Sequence, residues 1–343
     1  ILIGIDDKNG EILGLNYSDI QRINNLLSTA AQDHVKSPII ISTETVRVDT
    51  KAVIVASIPE GTDKPHTDKD GLIFIKNGSD KRKVTGREEL ARLLQYSGNL
   101  YAEDMIVAHS GYSDIITVEF QEFFERKYGE TYNPEELPRY LENLRLGSEG
   151  KLTVAGSLLF GRRNDTLLPD FFITAIWFRG NDKTVSEYVS SENIRGNIPY
   201  QFMRGLGFLQ STVLKVQGGQ NFNSLGIPEI PNDVFIELLT NALIHRNYFI
   251  KDSIKLFAFD DRIEIISPGS LPNSLTVEQI KRGLRKTRNA IIASFAPDVT
   301  KYRGIGSGIL RALKAYPAIE FYNDTEAEEF KVVIKKPAGR IEN

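Results

Sequence analysis

The 343-residue chain has no cysteine, a single tryptophan and two methionines. Without thiols it can form neither disulfides nor thiolate zinc sites, a composition that fits the reducing cytoplasm. No apolar run approaches the roughly 18 residues that a membrane-crossing helix needs. Nor does the sequence contain a basic-then-apolar stretch of the signal-peptide kind. A surplus of positive charge is also missing: 42 Lys and Arg stand against 45 Asp and Glu, a net charge of −3. Nothing therefore draws nucleic acid to the chain as a whole, and any such contact must come from a local patch. A G-x-x-x-x-G-K-[ST] phosphate loop does not occur, which excludes the usual helicase motor.

What is there is ordinary for a globular protein, 41% hydrophobic and 25% charged, and long enough for two or three domains. The strongest local signal is 231–246, PNDVFIELLTNALIHR. Asn232 or Asp233 can cap a helix here, and neither Gly nor Pro interrupts the run from there to Arg246. At 100° per residue, Glu237, Asn241 and His245 fall within an arc of about 80° while most other positions are apolar. Such a stripe has two readings: a solvated face, or polar groups turned into a wet cavity.

Downstream, 254–259 and 262–266 flank Asp260-Asp261 as a β-hairpin, which runs into the Gly/Pro turn Ser267-Pro-Gly-Ser-Leu-Pro. Further on, Gly304-Ile-Gly-Ser-Gly opens a helix, and free N–H groups at a helix start favour anions. Between turn and loop, 281–288 holds five basic residues and no acid, either countercharge for a phosphate or a solvated helix end. Stretches 319–322 and 330–334 read as a closing hairpin.

The first hundred residues read as a separate α+β unit. A hairpin is expected around Asp6-Asp-Lys-Asn-Gly10, then a helix from Ser18 to about His34. Strands over 39–48, 52–58 and 72–75 and a helix over 87–94 complete it. Asp6 and Asp7 suit the turn. Lys76, Lys81, Arg82, Lys83 and Arg87 lie close enough in sequence to track a phosphate backbone, diluted by Asp80, Glu88 and Glu89. Helices are expected over 118–127, with Phe120, Phe123 and Phe124 as core, and from Asn133 to Leu144. After these come a buried strand over 171–178, a helix over 198–213 and a loop over 218–224.

The order ExxxNxxxH, Gly turn, GxGxG loop resembles the GHKL ATPases, the superfamily of gyrase and the histidine kinases. The resemblance implies ATP and Mg2+ as cofactors. It makes Glu237 the base that polarises water, Asn241 the metal ligand and His245 a phosphate-side contact. Gly304, Gly306, Ser307 and Gly308 become the lid, Gly269 part of the turn, and Arg288 with Asn289 the family's Arg-Asn pair. These residue types suit that chemistry: a carboxylate for base work, an amide oxygen for a hard cation, bare glycines for close phosphate approach. In one place the sequence departs from the pattern: Ser267 stands where the superfamily reads adenine with an Asp.

More narrowly, NALIHRNY, DDRIEIISPGSLP, TRNAII, GIGSGI and LTVAGSLLFG are similar to the C-terminal part of bacterial Schlafen AlbA-type transcriptional regulators. ILIGIDDKNGEILGL and GLIFIKNGSDKRKVTGREEL resemble the Schlafen AlbA-type domain itself. That likeness implies a segment preceding Ile1, since the chain opens in what reads as mid-strand. The expected organisation is an α+β chain: a Schlafen AlbA-type α+β domain over 1–98, a helical connector over 99–150 and a GHKL-like α/β sandwich over 151–343. The implied function is a cytoplasmic transcriptional regulator, with Lys81, Arg82, Lys83 and Arg87 toward nucleic acid and ATP with Mg2+ in the C-terminal module. An ATP-dependent hydrolase, a Schlafen-like ribonuclease, and an interaction scaffold with a degenerate nucleotide site stay open beside it. No membrane partner is expected, and a homodimer is compatible with every one of these readings.

Overall fold

The computed structural model describes the chain except residues 60, 62–63, 78–79, 87–88, 91–92, 95–96, 98–99, 185–186, 217–225, 273–274, 301–307 and 338–343. Two units emerge, Ile1–Leu100 and Tyr101–Asn343.

In the first, helix α1 (Tyr17–Asp33) begins just before the expected Ser18, because Asn16 is the cap: its side-chain oxygen accepts from the Asp19 amide at 2.9 Å. Strands β1 (Leu2–Ile3), β2 (Ser42–Val48) and β3 (Lys51–Ser57) form an antiparallel sheet in the order β1-β3-β2. Val53, Ile54 and Ala56 supply its buried positions. The expected hairpin at 6–10 is reduced to one bridge between Ile5 and Ile12. Asp6 holds that turn by accepting the amides of Lys8 and Asn9 at 2.9 and 3.2 Å, while β1 takes its ladder from β3. A separate ribbon joins β4 (Phe74–Asn77) to β5 (Asp80–Lys83). The helix expected over 87–94 lies partly outside the described residues.

The second unit starts inside the stretch expected as a connector. Helices α2 (Thr117–Tyr128) and α3 (Leu137–Asn143) bury Phe120, Phe123, Phe124 and Leu141 in the same core as the sheet. An aromatic stripe needs a partner surface, and here it finds one: Phe123 lies 5.3 Å from Phe160 and 5.0 Å from Phe295 between ring centres. Residues 101–150 are thus part of the second fold and not a spacer before it. Phe160 ends α4 (Val154–Phe160), a helix buried along its whole length. Gly156 permits that burial, since a Cβ there would sit 1.9 Å from the Leu146 carbonyl oxygen.

Six strands form the sheet: β6 (Ile173–Phe178), β7 (Tyr188–Ile194), β8 (Ile254–Ala258), β9 (Arg262–Pro268), β10 (Ile319–Asp324) and β11 (Glu329–Lys335). Their order is β7-β6-β8-β9-β11-β10, antiparallel except for the parallel pair β6–β8. A parallel pair requires a crossover, supplied here by α5 (Ile198–Ser211) and α6 (Asn232–His245). One sheet face, with Ile173, Ala175, Leu256, Ile263, Ile265 and Val332, is buried. The other carries ion pairs: Lys255 with Asp252 and Glu329 at 2.9 and 2.8 Å, and Arg262 with Glu264 at 2.6 Å. That is the two-layer α/β sandwich of an α+β protein. Smaller helices α7 (Val277–Lys281), α8 (Ala290–Val299) and α9 (Gly308–Ala315) complete the helical layer. Among the described residues no helix is long and apolar enough to cross a membrane.

Candidate functional site

Helix α6 organises the second unit. Val234, Phe235, Leu238, Leu239 and Leu243 are almost fully buried, which fixes the helix against the sheet and α5. Pro231 precedes the helix and no side chain caps it; Asn232 and Asp233, the expected caps, are its first two residues. Asp233 in the first turn still complements the helix dipole.

The polar stripe faces inward. Glu237 is only 6% exposed, and its Oε1 accepts Arg311 Nε at 2.9 Å and a second contact from Arg311 Nη2. Its other oxygen is buried with no hydrogen-bond partner among the described residues. Arg311 lies on α9, so this ion pair ties α6 to the helix that comes after the glycine loop. One turn later, Asn241 Nδ2 donates to the Glu237 carbonyl at 2.7 Å. His245, half-buried in the last turn, has its ring held down to about 4, first by burial and then by the cations Arg288 and Arg285. It is neutral at neutral pH.

Two adjoining cavities open beside this stripe, of about 100 and 260 Å³. Asn241, His245, Ile280, Leu284, Arg285 and Ile309 bound both. The smaller has an apolar floor of Ile265, Phe321, Phe330 and Val332 from the sheet, with Ser267 and Ser270 at its edge. The larger reaches Thr287, Ser294 and Gly308, the first residue of α9. Arg285 and Lys286 stand on the walls, and no Asp or Glu does among the described residues. The charged side chains on the described walls are thus all cationic.

The Gly/Pro turn is held tightly. Gly269 has φ +101°, and a Cβ on it would lie 2.6 Å from Asn247 Cβ and 2.7 Å from Arg288 Nη1. Ser267 Oγ donates to the Ala242 carbonyl at 3.3 Å. Arg288 and Asn289 fasten the C-terminus of α6, where carbonyls lack helical partners. Arg288 donates to the carbonyls of His245 at 3.2 Å and Ser270 at 2.8 Å. Asn289 donates to those of Ile244 and Arg246 at 2.7 and 2.9 Å. Behind them, Glu103 accepts the amides of Ile291 and Ile292 at 3.0 and 2.9 Å, although burial pushes its carboxyl up.

The fold thus brings Asn241 and His245 to both hollows, Gly269 to the smaller and Gly308 to the larger, whereas Arg288 lines neither and fastens the end of α6, and Glu237, also on neither wall, pairs with Arg311. Gly304, Gly306 and Ser307 lie outside the described residues, as does Arg87. Arg311 escaped the sequence reading because its partner is 74 residues away; the only available hint was a cation three residues into the helix after the glycine loop. The apolar floor drawn from β10 and β11 was hidden because those strands look like any hairpin.

In the first unit, the register opposes Phe74 to Lys83 and Lys76 to Lys81. Lys76, Lys81, Lys83 and Phe74 therefore share one face of the ribbon, and Lys81 Nζ lies 4.2 Å from the Phe74 ring centre. Arg82 points to the opposite face and is forked onto Glu89 at 2.9 and 2.5 Å.

Comparison with known proteins agrees with both units. Residues 1–85 match the family model described as "Schlafen, AlbA_2", and 251–334 match HATPase_c_4, described as "Putative ATP-dependent DNA helicase recG C-terminal". No curated protein matches. Among solved structures, the DIP2311 protein from Corynebacterium diphtheriae superimposes with a TM-score of 0.54 at 20% identity. That alignment covers 98% of this chain and 66% of that one, a likeness of fold alone. The chain carries a Schlafen AlbA_2 domain at its N-terminus and a HATPase_c_4 domain, of the GHKL-like ATPase type, at its C-terminus.

Proposed function

We propose that the cavity pair beside α6 binds ATP with magnesium, that the β4–β5 ribbon contacts nucleic acid, and that the protein is a transcriptional regulator responding to nucleotide. The observation that carries the first part is the junction itself. Asn241 and His245 stand between an apolar hollow and a more mixed one, beside Arg285 and Lys286, with no described carboxylate on either wall. An apolar slot with few polar groups suits a planar base. The larger hollow, ending at the start of an eight-residue helix, suits phosphates. Asn241 spends its amide nitrogen on the Glu237 carbonyl, which leaves its oxygen, a hard donor, for the metal. Magnesium keeps most of its waters and needs few protein ligands; when bound it would neutralise phosphate charge. A thermal-shift panel tests this. A ligand at a hundredfold excess over its Kd stabilises by about 2.7 kcal/mol, worth several degrees in Tm. ATP with magnesium should raise Tm; no response to any nucleoside triphosphate would end the proposal.

A second reading, ATP hydrolysis, is favoured by one feature: the buried Glu237 oxygen that has no hydrogen-bond partner among the described residues. A carboxylate so placed can accept a proton from water once Arg311 shifts toward phosphate. Phosphate release that vanishes in Glu237→Gln would support it, and release unchanged in that variant would refute it. For the ribbon, three lysines and an aromatic ring on one face favour a nucleic-acid strand as partner.

A further inference from the structure

The basic run at 281–288 is larger than the two hollows need. Between Gln279 and Pro297 the sequence holds five cations and no Asp or Glu. Arg288 is bound to the end of α6. Arg285 stands on the walls of both hollows and Lys286 on that of the smaller. Lys281 and Arg282 line neither; they follow Ile280, which is buried and borders both hollows, and are themselves exposed. Elsewhere in this unit cations sit on carboxylates: Lys127 on Asp298, Arg145 on Asp104 and Arg204 on Glu192, each at 2.6 Å. The side chains of Lys281, Arg282 and Arg285 have no such ion pair among the described residues. Glu320, the acid that feels Lys281, is held by Lys335 and the Tyr322 hydroxyl. Like charges gathered this closely repel one another, and a polyanion laid across them removes the repulsion. A protein partner would need an apolar anchor at the centre of the patch, and 281–288 exposes one large apolar side chain, Leu284. A phosphate strand needs cations alone.

We infer that Lys281, Arg282, Arg285 and Lys286 form a nucleic-acid contact on the second unit, at the rim of the hollows. Arg285 and Lys286 cannot serve two phosphate chains at once, so nucleotide and nucleic acid exclude one another there. This exclusion rests on the nucleotide reading of the hollows, whereas the contact does not. Binding of a labelled oligonucleotide, single-stranded and duplex, by the full chain over a salt series tests both. It is measured for wild type and for Lys281→Gln/Arg282→Gln, with and without ATP and magnesium. Each phosphate-contacting cation removed lowers the log–log salt slope by about 0.7–0.9, so the double variant should lose about 1.4–1.8. Its ATP affinity, titrated directly, should equal that of wild type, because neither side chain lines a hollow. Saturating ATP should weaken the wild type's hold on the oligonucleotide and lower its slope. A slope unchanged in the variant with both oligonucleotides overturns the contact and leaves an acidic protein surface as the partner of the patch. An oligonucleotide affinity that ATP leaves unaltered, at concentrations shown to saturate the hollow, overturns the exclusion alone. If no ATP binds, the nucleotide reading and the exclusion fall together, while the salt slope still decides the contact.

Discussion

Asn289 gives a sharp test of how α6 is held in place. Its side chain is 1% exposed and spends both amide hydrogens on the carbonyls of Ile244 and Arg246, at 2.7 and 2.9 Å. Asn289→Ala removes two hydrogen bonds and leaves two acceptors at the helix end without partners. At about 1–3 kcal/mol for each buried group left unsatisfied, and allowing for partial relaxation, the loss should be about 2–4 kcal/mol. Asn289→Asp keeps the shape but replaces the donor with negative oxygen against two carbonyls at the negative end of a helix. It should therefore cost more than alanine at pH 7. The penalty should shrink on acidification, because a protonated Asp can donate one bond again. The single tryptophan, Trp177, lies on β6 in the second unit, so its fluorescence during urea unfolding reports on the relevant fold. If aspartate proves no worse than alanine, or both cost under about 1 kcal/mol, the fastening of α6 by this residue is wrong.

Gly269→Ala should destabilise by about 2–4 kcal/mol, combining positive-φ strain with displacement of Asn247 or Arg288; urea midpoints check it. His245 has a folded-state pKa of about 4 against an ordinary 6.5, so the unfolded chain binds more protons. Its stabilising contribution is complete above about pH 6.5 and fades as pH falls toward 4, by up to about 3 kcal/mol. His245→Gln should flatten the stability profile between about pH 7 and 4.5, and an unchanged slope would contradict that. Replacing Lys76, Lys81 or Lys83 by Gln should each lower the salt dependence of nucleic-acid binding by about 0.7–0.9 in log–log slope. Arg82→Gln, on the other face, should leave it alone; gel-shift titrations over a salt series separate the two.

Much of the helical layer could be read directly. Residues 232–245 carry an uninterrupted apolar run with one polar stripe, and period alone sets both the helix and the side on which Glu237, Asn241 and His245 meet. The hairpin β8–β9 announced itself through alternation around Asp260-Asp261. What stayed hidden was non-local. Pairing of Glu237 with Arg311, and of Asn289 with the end of α6, joins side chains many residues apart for which no local spacing exists. The phenylalanines of α2 declared themselves as core, yet a stripe cannot say which core, and so 101–150 looked like a connector. At 6–10 the turn chemistry was legible, but the ladder went to β3, because a turn fixes local geometry and does not choose a strand's partner.

Calorimetric titration of wild type and Asn241→Ala with ATP, with and without magnesium, decides whether the junction of the two hollows is a magnesium–nucleotide site. Wild type should bind, and more tightly when the metal is present. The variant should lose the magnesium-dependent gain and keep the metal-free affinity. An identical magnesium gain in both proteins, or no heat from either, would contradict the account.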